Sequence, residues 1–382
     1  MRKSSLFSVG DFMIIIAPDS FKGTMTATEV CTIIKEEFLK TDATLDIRCM
    51  PIADGGEGTV DALLSLGGER VSVTAKNPLG RDIDSFYGIL PDGTAVIEMA
   101  AASGLLLVGE NKNPMLASTF GTGELIRAAL DRGCRRIILG IGGSATNDGG
   151  IGCAAALGAR FLDAHGADIP LNGAGLSEIA EIDLTALDSR LMDTDIQVLC
   201  DVTSPLYGEK GAAYVFAPQK GADEAMVKIL DAGLRKLADV TAKAIGRDNS
   251  QLEGAGAAGG LGFALVSLLG ARLVKGAPTL LKIMGLDVLA ASAELIITGE
   301  GCFDEQSLLG KAPSSVAEMA GDTPVIAVAG RCRINLPENS KIRRVYVTDK
   351  VGKDFETLRK ECFDDLRATA REMAEDYLKN KF

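Results

Sequence analysis

The sequence predicts an α/β protein in which a parallel-sheet domain, formed by both chain ends, is interrupted by a second α/β domain with a mixed sheet. Three observations predict it. Short apolar runs, Gly-rich loops and amphipathic segments follow one another at both ends of the chain, as in successive parallel βα units. In the middle, three strand-like segments lie close together, two of them joined by a tight turn, which implies antiparallel pairing. The chain has 382 residues, whereas single cores rarely grow past about 250–300 residues.

The elements can be justified in order. Met13–Ala17 (MIIIA) is a short apolar run of the buried-strand type. Thr26–Lys40 is amphipathic and opens on a capping box, Thr26 with Glu29 three residues later. Leu45–Pro51 is the second strand, and it runs into the loop Ala53–Gly58. Val71–Thr74, Ile83–Leu90 and Ala95–Met99 are the middle strands, the last two joined by the turn Pro91-Asp92-Gly93-Thr94. A helix over Gly123–Arg132 stops at Gly133, a left-handed cap. Strand Arg136–Ile141 feeds the loop Gly142–Gly150, strand Ile196–Cys200 feeds Asp201–Pro205, and a long helix covers about Asp223–Ala244. Glu294–Thr298, Pro324–Ala329 and Arg344–Thr348 return to the opening style, and an amphipathic helix closes the chain. The expected domains are therefore 13–75 with 291–382, and the inserted 76–290, with the active site in the cleft between them.

Composition narrows the function. With 47% hydrophobic and 24% charged residues the chain is globular rather than disordered. The formal net charge of −12 disfavours nucleic acid or an anionic membrane as a partner, and the lack of Trp with only 5 Tyr disfavours base-stacking platforms. Eight scattered cysteines without metal-ligand spacing, beside a single His, read as reduced thiols of a cytoplasmic protein. No run approaches the roughly 18–20 apolar residues of a bilayer span. Residues 1–12 lack the apolar core of a signal peptide and read as a poorly ordered lead-in.

Five predicted strand ends carry clustered polar and Gly residues: Pro18–Gly23, Asp54–Gly58, Gly142–Gly150, Asp201–Thr203 and Gly299–Asp304. Ligands of open α/β sheets bind beyond the carboxyl ends of the strands, so five such loops suggest one assembled site. Glycine exposes N–H groups that can hold phosphate oxygens, whereas carboxylates reach phosphate only through a cation such as Mg²⁺. Phosphoryl transfer asks for little more than positioning, charge neutralisation and a carboxylate to take the acceptor's proton. No Walker A pattern occurs, because Gly310-Lys311 lacks the upstream Gly and the following Ser or Thr. Gly140–Ala145 matches the dinucleotide fingerprint G-x-G-x-x-A, which supports an NAD-dependent oxidoreductase as the rival from another class. Against it, Asn147-Asp148-Gly149-Gly150 falls where the phosphate-binding helix should begin. Gly254–Gly259 also fits the fingerprint but has no strand before it. His165 lies in a turn-like segment and is expected to be exposed, which leaves Asp or Glu as catalytic base and removes a Ser-His-Asp hydrolase.

Taken together, the loops resemble the bacterial-type glycerate kinase family. The resemblance runs from Ile16–Gly23 and Pro51–Thr59 through Gly121–Ile126, Ile141–Gly150, Cys200–Leu206 and Pro218–Ala222 to Thr298–Gly301 and Gly310–Pro313. It covers about Met13 to Gly330; the lead-in and Arg331–Asn335 depart from the pattern. The family implies ATP, Mg²⁺ and D-glycerate, with 2-phosphoglycerate as the usual product, on a flavodoxin-like domain interrupted by a second one. On that basis Asp201 and Asp304 are the first candidates for Mg²⁺, with Asp54 and Glu57 next. Asp148 or Asp19 is the base, and Lys22 and Lys311 neutralise the transferred group. Gly142, Gly143, Ser144 and Asn147 hold phosphate or the substrate carboxylate. Ser20, Gly55, Gly56, Gly299, Glu300, Gly301, Gln306 and Ser307 complete the expected binding residues. For each Asp the plainer role is a helix cap or a loop hydrogen bond. Base rates leave a homodimer open.

Overall fold

The structure is a computed structural model and describes residues 13–52, 55–308 and 310–379. The expected lead-in over 1–12, and Asp54 among the candidate site residues, lie outside the described residues. Its strands are β1 (Met13–Pro18), β2 (Asp46–Cys49), β3 (Glu69–Lys76), β4 (Asp82–Ile89), β5 (Ala95–Glu98), β6 (Arg136–Gly140) and β7 (Arg160–Leu162). They continue with β8 (Glu181–Asp183), β9 (Asp195–Leu199), β10 (Arg272–Val274), β11 (Ala293–Phe303), β12 (Val325–Cys332) and β13 (Ile342–Val347). The chain divides into two compact units, Met1–Ala53 with Ala277–Phe382, and Asp54–Gly276.

The first unit is a five-stranded, all-parallel sheet in the order β13-β12-β11-β1-β2. Counted within the unit this is the 2-1-3-4-5 order of flavodoxin-like folds, whose switch point lies between the first and third strands. Here those are β1 and β11. All six residues of β1 are buried, as a strand covered on both faces requires. Helix Ala27–Thr41 starts at Thr26 with the anticipated box: Thr26 N–H donates to Glu29 Oε2 (2.8 Å), and Glu29 N–H donates to Thr26 Oγ1 (3.2 Å). Phe38 of that helix shares a core with Leu366, Ala370 and Met373 of the closing helix Phe355–Leu378.

One element differs from expectation. The segment Gly299–Phe303 is not a loop but the second half of β11, because β12 runs on beside it, pairing Cys302 with Arg331 and Phe303 with Cys332. Glycine permits this: a Cβ on Gly299 would lie 2.4 Å from the Val328 carbonyl oxygen, and one on Gly330 2.6 Å from that of Gly301.

The second unit holds a six-stranded mixed sheet in the order β10-β9-β6-β5-β4-β3. Its first four strands are parallel, and β4 and β3 are antiparallel additions. The turn after β4 closes through Leu90 N–H to the Thr94 carbonyl (2.9 Å), as its Asp-Gly sequence implies. Because β3 pairs along its length with β4, residues 69–75 belong to this sheet, and the unit begins before residue 76. Helix Phe120–Asp131 is followed by a left-handed Gly133 (φ 83°). Leu125, Leu139, Ile151, Phe161, Leu234 and Phe263 lie in the core of this unit.

Candidate active site

In the first unit the carboxyl ends of β1 and β11 meet as the switch-point rule requires. Asp19 N–H donates to the Gly299 carbonyl (2.8 Å), and Asp19 Oδ1 accepts from Ser20 N–H (2.6 Å). Gly301 brings its backbone so close to Phe21 and Lys22 that a Cβ would lie 3.3 Å from Phe21 Cα. The next side chain toward the core, Glu300, is buried, and its Oε1 has no hydrogen-bond partner. Burial pushes the Glu300 carboxyl above its ordinary range, with Ser307 and Lys311 pulling the other way. Lys311 Nζ sits 3.9 Å from Glu300 Oε2 and 4.0 Å from Asp304 Oδ1, a cation between two carboxylates. A short turn fixes Asp304: its N–H donates to Ser307 Oγ (2.8 Å), and its Oδ1 accepts from Gln306 N–H (2.9 Å). Asp19, Ser20, Gly299, Gly301, Glu300, Asp304, Ser307 and Lys311 thus belong to one carboxyl edge of one sheet, with Lys22 exposed beside Gly301.

The second unit makes a different use of its glycines. Gly142 N–H donates to the Gly55 carbonyl (3.0 Å), and a Cβ on Gly142 would meet Gly56 Cα at 2.7 Å. Gly55 and Gly142 therefore pack the 55–58 turn onto the end of β6, and this Gly142 donor is spent within the protein. Glu57 remains exposed, and Gly143 is exposed with φ 73°. No helix follows β6 directly; residues 143–150 form a loop, and the helix begins only at Ile151. The Gly140–Ala145 fingerprint thus lacks the helix N-terminus that a pyrophosphate would need.

Asp148 is wholly buried. Its Oδ2 accepts from Thr119 N–H (2.7 Å), Thr119 Oγ1 (2.8 Å) and Gly152 N–H (3.3 Å), and its Oδ1 accepts from Gly150 N–H (3.1 Å). Burial pushes its carboxyl up while these donors oppose the shift. The sequence offered Asp148 as a base toward the acceptor hydroxyl; with its oxygens engaged by four protein donors, it is a brace that joins the 147–152 loop to the start of helix Phe120–Asp131. Asp201 is exposed, and its Oδ1 accepts from Gly276 N–H (2.8 Å).

Two residues escaped the sequence reading. Lys220 is only 2% exposed, and its Nζ donates to Ser144 Oγ (2.7 Å) and to the Thr146 carbonyl (2.6 Å). Burial pulls its ammonium down to about 7, against the charge of Asp148. Its signal was the segment Pro218–Ala222, which carried part of the resemblance but no role. Glu98, the last residue of β5, is 5% exposed and accepts from Val60 N–H (2.6 Å). Burial pushes it up to about 7, Val60 N–H opposing and Asp61 and Glu57 adding to the rise.

Comparison with known proteins decides what this constellation belongs to. The sequence pattern of the glycerate kinase family matches residues 14–378. The chain belongs to the glycerate kinase family. A glycerate kinase of Bacillus subtilis (strain 168) is 49% identical over 322 residues, covering 83% of this chain and 84% of its own. A glycerate 2-kinase of Escherichia coli (strain K12) is 47% identical over 323 residues, with the same shares, 83% and 84%. A crystal structure from Salmonella typhimurium LT2, provisionally named glycerate kinase 2, superposes with a TM-score of 0.85 at 42% identity over 97% of this chain and 99% of its own. Membership makes the chain a kinase with ATP as phosphoryl donor. Among the described residues no helix is long and apolar enough to cross a membrane.

Proposed function

We propose that the protein transfers the γ-phosphoryl group of Mg-ATP to the 2-hydroxyl of D-glycerate, giving 2-phosphoglycerate and ADP. The observation that carries this reading is the 47% identity, sustained over 323 residues, to a chain named for phosphorylation at the 2-position.

The residues support a division of labour. Lys22 and Lys311, at the switch-point edge of the first sheet, neutralise charge on the transferred phosphoryl group. Asp19 takes the proton of the acceptor hydroxyl, the oxygens of Asp148 being engaged by four protein donors. Glu300 and Asp304 fit a divalent cation, because Glu300 Oε1 is a buried oxygen without a partner. Mg²⁺ characteristically takes one or two carboxylates and fills its other positions with phosphate oxygens and water. No group of three or more His, Cys, Asp or Glu poised for a metal occurs among the described residues, in keeping with such a sparse site. Asp201 of the second unit, exposed and accepting from Gly276 N–H, is the alternative candidate ligand. When bound, Mg²⁺ supplies neutralisation of the β- and γ-phosphoryl oxygens.

Phosphorus NMR of the product tests the position of attack. Attack at the 2-hydroxyl gives a phosphorus coupled to one proton, a doublet. A triplet, from coupling to two protons, would reassign the product to 3-phosphoglycerate.

A further inference from the structure

The loop that follows β6 carries more polar groups than the brace at Asp148 explains. Lys220 Nζ reaches Ser144 Oγ from inside the unit, and in the ammonium form, which an anion bound beside it favours, it can only donate. Ser144 Oγ is therefore an acceptor toward Lys220, and its own proton must point to some other acceptor. None of the hydrogen bonds described for Ser144 provides one, and the residue keeps 8% exposure next in sequence to the exposed Gly143. The backbone N–H groups of Gly143 and Ser144 likewise find no acceptor among the described residues. A second, independent observation lies three residues on: Asn147 is wholly buried, and neither Oδ1 nor Nδ2 of its amide has a partner. Adjacent N–H groups and an oriented hydroxyl form an anion-binding concavity.

The charge balance selects the anion. The Lys220 amine lies behind this loop with Asp148 acting on its charge, and Glu57 Oε1 stands 3.9 Å from where a Cβ on Gly143 would be. A triphosphate would set several negative charges beside Glu57, whereas a monoanionic carboxylate sets only one there. The unpaired amide points the same way. Asn147 offers both a donor and an acceptor, which suits a ligand carrying carboxylate and hydroxyl together, whereas a phosphoryl group only accepts.

We propose that the Ser144 hydroxyl, turned outward by the buried Lys220, and the N–H groups of Gly143 and Ser144 receive the carboxylate of the hydroxy-acid substrate, Lys220 acting as a positioning residue. This assignment rests on the glycerate reading above and names the groups that select an acid.

The test compares D-glycerate with 2,3-dihydroxypropanamide, its neutral amide, as acceptors in the full-length wild type, Ser144→Ala and Lys220→Met. Both variants should lose preference for the acid by roughly tenfold to a hundredfold in kcat/KM, the worth of a hydrogen bond to a charged group. The KM for ATP should stay constant, and Ser144→Thr, which keeps the hydroxyl, should recover most of the preference. Calorimetric titration of D-glycerate without ATP should show the same loss of affinity, and thermal melts identify any variant that has not folded. Ser144→Ala removes one oxygen atom, so it keeps the test open if Lys220→Met unfolds. Unchanged acid preference in a folded Ser144→Ala, or a rise in KM for ATP instead, would overturn the assignment alone. A wild type that neither turns over nor binds D-glycerate would remove the proposed function, and this assignment with it.

Discussion

Glu98 and Asp148 are both buried carboxylates of the second unit whose carboxyls burial pushes up, but they differ in how many donors oppose the rise. Asp148 collects three N–H donors and one hydroxyl, so its charge is dispersed over hydrogen bonds. Replacing it with Asn turns an NH₂ group toward those donors, and Asp148→Asn should destabilise the protein by about 2–4 kcal/mol in urea unfolding. Glu98 faces Val60 N–H but also Asp61 and Glu57, and its pKa rises to about 7 from 4.5. The folded protein therefore holds this proton more tightly than the unfolded chain between about pH 4.5 and 7. Stability should fall as pH rises through that window, by on the order of 3 kcal/mol at its upper end. Glu98→Gln keeps a carbonyl acceptor for Val60 N–H and should flatten the slope, gaining stability at pH 8 and little at pH 4, as read by unfolding at both values. Neither environment was legible in the sequence. Thr119, which supplies two of the four donors to Asp148, stands 29 residues away, and Val60 is 38 residues from Glu98, so these environments arise only once those segments fold together. Lys220 was hidden for the same reason: its two acceptors lie 76 and 74 residues upstream.

Among the elements, those with long periodic or apolar signals were legible. Helix Ala27–Thr41 announced itself through its capping box, and Thr26→Ala should cost about 1 kcal/mol in thermal unfolding without loss of activity. The three-residue strands β7, β8 and β10 are too short to carry a period and were not foreseen. Helix Ala257–Leu269 opens on a turn that sequence could only mark as Gly-rich: Ala258, Gly259 and Gly260 are all left-handed, at φ 52°, 69° and 95°. Gly259 lies against the 146–147 backbone, where a Cβ would stand 2.0 Å from the Thr146 carbonyl oxygen and 2.6 Å from Asn147 Cα. Gly259→Ala should therefore destabilise by more than about 3 kcal/mol. Gly143→Ala is the contrast. It shares a positive φ of 73°, but its nearest neighbour would lie at 3.5 Å, so its cost should stay near 1 kcal/mol in the same unfolding measurement.

For the molecule as a whole, the alternation of apolar runs and Gly-rich loops was enough to foresee one parallel sheet from both chain ends and one mixed sheet between. The strand order, and with it the switch point at β1 and β11, needed the structure, because nothing local to either strand states that they pair. The candidate site was legible as residue types at strand ends: Asp19, Ser20, Gly299 and Gly301 do share one edge. What the sequence could not separate was glycine that meets a ligand from glycine that packs on another loop, as Gly55 and Gly142 do. Asp201 belongs to this scale because it is exposed at the end of β9 and accepts from Gly276 N–H, 75 residues on. Asp201→Asn keeps an oxygen for Gly276 N–H, so it should lower kcat by orders of magnitude with an unchanged melt; near wild-type turnover would retire its role. The measurement that reaches the central claim most directly is ADP release by the wild type with Mg-ATP, with and without D-glycerate. A glycerate kinase releases ADP in proportion to the glycerate consumed and stops when Mg²⁺ is chelated. Folded protein that binds Mg-ATP yet releases no ADP on addition of D-glycerate would contradict it.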